Sequence, residues 1–168
     1  MSEERPLLRV IQGGRAREIT LGFTRLIVNE RPVFRSDGVL LEEDTALGMS
    51  GTPAAEPSRG GSVVVREGRP VELLLVVNDA GKQGPRPGWL ESAWDEALRI
   101  ADRMHLSQLT APLIGCAGGA TLEESLGAAS HVMAVGRFAN VRAIELVCGD
   151  LAELVYQTLS RHAHLIRH

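Results

Sequence analysis

The chain has 168 residues and a formal net charge of −3, with 44% apolar and 23% charged residues. That is an ordinary globular balance, sized for a single domain over residues 1–168 with a useful core. The charge leaves no basic footprint for broad nucleic-acid binding, and no apolar run reaches the length of a membrane span.

The start, MSEERPLLRV, is acidic and lacks the basic-then-apolar pattern of a signal peptide. Cys116 and Cys148 read as free thiols, which fits an expected cytoplasmic location. Leu7 to Gln12 reads as a strand ended by Gly13-Gly14, and Arg25 to Asn29 as a second, buried strand. Residues 30–61 hold Pro32, Pro53, Pro57 and the stretch GMSGTPAAEPSRGG. They read as loops, with a short helix at best over Val39 to Leu47. Ser62 to Arg66 and Glu72 to Asn78 read as a hairpin turning at Glu67-Gly68-Arg69-Pro70. Asp79 to Gly88 is a Gly/Pro-rich loop.

Leu90, Ala93, Trp94, Ala97, Leu98, Ala101 and Met104 recur at helical spacing, so Trp89 to Met104 is a helix with Trp94 in the core. Leu109 to Ile114 is the next strand. Thr121 is the expected N-cap of a helix to Arg137, with Glu123 and Glu124 in its first turn. Val141 to Cys148 is a strand. Asp150 is the expected cap of a last helix ending near His162. Alternating helix and strand in this half predict a largely parallel or mixed sheet covered by helices on both faces.

Such sheets bind ligands beyond the carboxyl ends of their strands. The stretch LTAPLIGCAGGA, Leu109 to Ala120, supplies a loop there with Gly115, Gly118 and Gly119 just before a helix. Glycines admit close approach of backbone N–H groups to a ligand, and a helix start adds unpaired N–H groups. The loop is therefore either a phosphate cradle or a plain strand-to-helix turn. Cys116 within it is either a small filler or a thiol tuned by the helix start. No GxxxxGK[ST], GxSxG, HExxH or CxxC pattern is present, and no metal site is expected. His162 and His164, two apart, diverge on a helix and read as a frayed, polar end. His131, in the helix 121–137, reads as a surface or half-buried residue, and the sequence shows no partner for a catalytic role.

In order and spacing the chain resembles the macro domain family, from about residue 8 to 160. The resemblance rests on VIQG at Val10–Gly13, Arg17-Glu18-Ile19-Thr20 in place of Gly-Asp-Ile-Thr, and Ile27-Val28-Asn29. The apolar pair at 61–65 and 72–77 and the segment Leu98–Gly119 continue it. It implies a three-layer α/β/α sandwich with a mixed, mostly parallel central sheet. It also implies adenine contact at Glu18 and Ile19, and a diphosphate and distal ribose held by Gly115, Cys116, Ala117, Gly118 and Gly119. Asn29, Gly38 and Val39 match the opposing loop, and no cofactor is implied. This chain departs from the family at Asn29-Glu30-Arg31-Pro32, where many members read Asn-Ala-Ala-Asn. Pro32 has neither a side-chain amide nor an N–H. Glu30 adds an anion that only Arg31 or Arg35 would offset.

Three functions follow. The first is binding of ADP-ribose or a related adenine nucleotide diphosphate, free or on an ADP-ribosylated protein, with little or no hydrolysis. The second is a scaffold that has lost the ligand site and acts through protein contacts. The third is an ADP-ribosyl or O-acetyl-ADP-ribose hydrolase, with Asp37 or Asp79 as its carboxylate.

Overall fold

The structure, a computed structural model, describes residues 17–48, 51–52, 58–79 and 86–167. The strand expected at Leu7–Gln12 lies outside these residues. Among the described residues seven strands form one sheet: β1 (Glu18–Leu21), β2 (Thr24–Asn29), β3 (Gly38–Asp44), β4 (Val63–Arg66), β5 (Val71–Asn78), β6 (Gln108–Ala111) and β7 (Ala143–Val147). Their order is β1-β2-β7-β6-β3-β5-β4. The five inner strands are parallel, and β1 and β4 pair antiparallel at the two edges. The sheet is thus mixed and mostly parallel, as expected.

Side chains alternate across the sheet. Leu26, Val28, Leu40, Leu73, Leu75, Val77, Leu109, Ala111, Ile144 and Leu146 point to one face and share a single core with all three helices. These are α1 (Pro87–Arg103), α2 (Leu122–Val135) and α3 (Ala152–Arg167). They pack in that order, α1 on α2 and α2 on α3. On the other face, Val64, Leu74 and Val76 form a smaller cluster with Leu47, and Leu41 packs against it. Among the described residues that face is covered by loop rather than helix.

Residues 38–44 correct the expectation of loops or a short helix. Val39-Leu40-Leu41 is too short a run to fix its own period. The ladder decides it: β3 pairs with β5 over its whole length and with β6 at Gly38 and Val39. Gly38 lets β6 close over this end, because a Cβ there would stand 2.9 Å from Leu109 Cδ2 and 3.0 Å from Leu106 Cδ1. Strand β6 is also shorter than expected, since it stops before Pro112, which cannot donate to a ladder.

Thr121 caps α2 as expected, in a reciprocal box. Glu124 N–H donates to Thr121 Oγ1 at 3.1 Å, and Thr121 N–H donates to Glu124 Oε1 at 2.9 Å. Asp150 is not the cap of α3. It lies inside a 3-10 turn, Gly149–Leu151, that leads into the helix. Nor does the last helix fray at His162: α3 continues to Arg167. His162 Nε2 lies 2.8 Å from Glu123 Oε2, and its Nδ1 lies 3.4 Å from Ser130 Oγ. This ties α3 to α2.

Two outcomes are expected. Leu40→Ala should lower the unfolding free energy by about 2–5 kcal/mol in urea denaturation, the range for a fully buried leucine. A change within about 0.5 kcal/mol would place residue 40 in a surface loop. Hydrogen bonds also hold the carboxyls of Glu123 and Glu124 below their ordinary value, Glu123 chiefly through His162 and Glu124 through the Thr121 N–H. Their contribution is present above the ordinary carboxylate range and is lost as pH falls through the lowered values. Amide exchange at Leu122–Glu124 should therefore accelerate, beyond its intrinsic pH dependence, between about pH 5 and pH 3.

Candidate functional site

The carboxyl ends of the parallel strands carry the loop 112–120. Gly115 (φ +97°) and Gly119 (φ +106°) take left-handed conformations that glycine alone adopts readily, and they bracket a 3-10 turn at Cys116–Gly118. The loop is tightly seated. A Cβ on Gly118 would stand 1.9 Å from Asn78 Oδ1, and one on Gly115 would stand 2.7 Å from Leu90 Cδ2.

The N–H groups of this loop converge on one carboxylate. Gly115 N–H donates to Glu42 Oε1 at 2.6 Å, and Gly118 N–H donates to Glu42 Oε2 at 3.0 Å. Asn78 Nδ2 adds a third donor to Glu42 Oε2 at 2.7 Å. The loop is thus an anion-holding nest, and the anion in it belongs to β3. Gly118 N–H is shared, donating also to Gly115 O at 3.1 Å, and other loop amides are spent internally: Cys116 N–H on Leu113 O, Gly119 N–H on Cys116 O, and Ala120 N–H on Gly115 O.

The remaining expected residues are dispersed. Glu18 lies in β1 and pairs with Arg25 at 3.8 Å. Ile19 faces the helices within the core. Asn29 ends β2, but its amide is turned onto the helix-free face, where Nδ2 donates to Glu145 Oε2 at 2.6 Å. Gly38 and Val39 open β3 at its amino end, about 13 and 10 Å along the strand from Glu42 at the usual rise. They are not brought to Gly115–Gly119. Asp37 lies at that same far end, where its Oδ2 accepts from Ser107 N–H, Ser107 Oγ and Gln108 N–H. Asp79 stays near the carboxyl ends, with Thr45 Oγ1 at 3.4 Å and Arg86 at 3.9 Å.

Glu42, Asn78 and Glu145 were not singled out in the sequence. Glu42 stands in the segment Val39 to Leu47 that reads as loop or short helix, and only the pairing of β3 shows that it meets the glycine loop. Glu145 is fully buried, at 0% exposure. Its signal was a charge inside the otherwise apolar strand AIELV. Such a charge is retained only where donors surround it.

Burial raises the Cys116 thiol above its ordinary value, with a Ser125 hydrogen bond opposing and Glu42 and Glu124 adding to the rise. Cys148 is pushed up to about 12, chiefly by burial. Neither thiol is an activated nucleophile. In iodoacetamide labelling at about pH 8, Cys116 should react more slowly than a free thiol, and Cys148 only after unfolding. Rapid labelling of Cys148 in the folded protein would contradict this environment.

No protein-family model matches the chain, and no curated protein matches its sequence. Solved structures do match. A point mutant of the Oceanobacillus iheyensis macrodomain with ADPR aligns at 15% identity and TM-score 0.69, over 92% of this chain and 100% of that one. The same macrodomain with ADP aligns at 14% identity and TM-score 0.68, over 90% of this chain and 96% of that one. The Trypanosoma brucei macrodomain in complex with ADP-ribose aligns at 14% identity and TM-score 0.63, over 82% of this chain and 68% of that one. The fold of this chain is the macrodomain fold. No helix of the described residues is long and apolar enough to cross a membrane.

Proposed function

We propose that this macrodomain-fold chain binds ADP-ribose or a related adenine nucleotide diphosphate at the Gly115–Gly119 loop, as a single cytoplasmic domain, and hydrolyses it little or not at all. The observation that carries the reading is the convergence of the Gly115 and Gly118 N–H groups on one anionic group, now Glu42. A loop that holds a carboxylate in two-point fashion is prearranged for a phosphate oxygen pair. The solved macrodomains with ADP-ribose and ADP give the ligand class.

Binding then requires Glu42 to leave. Each hydrogen bond to a charged group contributes about 1.5–3 kcal/mol, and a retained carboxylate would repel the diphosphate. Affinity is therefore expected to be weak in the natural protein. Hydrolysis is disfavoured because the Asn29 amide is held by Glu145, Pro32 offers no polar group, and Asp37 sits at the other end of β3. An ADP-ribosylated protein is the expected natural form of a larger ligand.

The occupied nest also favours a second reading, in which Glu42 is a permanent filling and the chain acts through protein contacts. Calorimetry separates the two. Under the binding reading, Glu42→Gln binds ADP-ribose roughly tenfold or more tightly than the natural protein, while affinity for adenosine, which lacks the diphosphate, stays unchanged. No heat from either protein at millimolar ADP-ribose would overturn binding and leave the scaffold reading. Release of label from a mono-ADP-ribosylated protein would overturn the absence of hydrolysis.

A further inference from the structure

We propose a second ligand site, on the helix-free face of the sheet near the amino ends of β3 and β6, for a small amphipathic anion: an aryl or acyl chain ending in a carboxylate. A groove of about 760 Å³ lies there, between the connection from β2 to β3 and the turn from β4 to β5. That size suits a small organic molecule. Phe34, Val39, Pro70 and Leu106 give it apolar walls.

The charges in its lining do not cancel. Arg35 and Arg69 both line the groove, and neither has a partner among the described residues. The one acid in the lining, Asp37, is already engaged by three donors from Ser107 and Gln108. Two unpaired guanidinium groups beside an apolar wall match a ligand with one apolar body and one anionic end.

A polar chain sets the groove floor. Thr110 Oγ1 lies 3.5 Å from Glu145 Oε1, and Ser36 Oγ is hydrogen-bonded to Thr110 Oγ1. Glu145 accepts from Thr110, so Thr110 accepts from Ser36, and the Ser36 oxygen is left as an acceptor. The floor thus offers no donor to a carboxylate, and the arginines alone take the anion. This site shares no residue with the glycine loop and stands or falls separately from nucleotide binding.

The test is a nuclear magnetic resonance titration of the labelled full chain with phenylbutyrate, and with phenylbutanol as its neutral counterpart. Phenylbutyrate should shift the amides of Phe34, Val39, Val71 and Thr110 and leave Gly115 and Gly118 in place. The double variant Arg35→Gln, Arg69→Gln, at exposed positions, should weaken the acid roughly tenfold or more without changing the alcohol. Equal binding of acid and alcohol, shifts confined to other regions, or no response at millimolar acid would overturn the proposal. So would shifts of these amides with protein concentration alone, which would assign the groove to a second copy of the chain.

Discussion

The connection from β2 to β3 constrains this molecule more than any other segment. Strands β7 and β6 lie between the two, and Gly38 is level with Leu109, Ile144 and Leu26 across the ladders. From Asn29 the chain must cross three strand spacings, about 14 Å, and return three residues, about 10 Å. Residues 30–37 reach about 30 Å when fully extended. A helix with two turns does not fit in what remains. The connection lies against the sheet as an irregular strap, and its backbone groups need partners there.

Glu145 answers that need. Its carboxylate accepts from Val33 N–H at 2.8 Å and from Asn29 Nδ2 at 2.6 Å. One buried acid therefore anchors the strap, and in doing so it takes the Asn29 amide away from the ligand edge. The groove along the strap follows from the same shortness, because among the described residues nothing thicker than a loop covers that part of the sheet. At the opposite edge Glu42 plays a parallel part, satisfying the amides of a glycine loop. The two acids share a physical logic: each supplies an acceptor where backbone donors would otherwise be buried without one.

What the sequence disclosed depended on how local the determinant was. Thr121 and Glu124, three apart before an apolar run, specify a helix start within one turn, and the structure has it. The spacing of Leu90, Ala93, Trp94, Ala97 and Leu98 likewise writes α1 into the chain. Strand β3 was opaque because its identity comes from β5 and β6, which are distant in sequence. The C-terminal helix was read too short because His162 looks like a polar end until Glu123 on α2 is placed beside it. The glycine loop was legible only as a phosphate cradle or a plain strand-to-helix turn, and the carboxylate it holds was not legible at all. Glu42 reaches that loop only through strand pairing.

Under the proposed function the Gly115 and Gly118 amides hold an anion, supplied by Glu42 until a diphosphate replaces it. That exchange is tested most directly by following those two amide resonances during titration with ADP-ribose and, separately, with adenosine. ADP-ribose should move both resonances together with that of the Asn78 side-chain amide, and adenosine should leave them where they are. ADP-ribose binding that leaves both amides unmoved would contradict it.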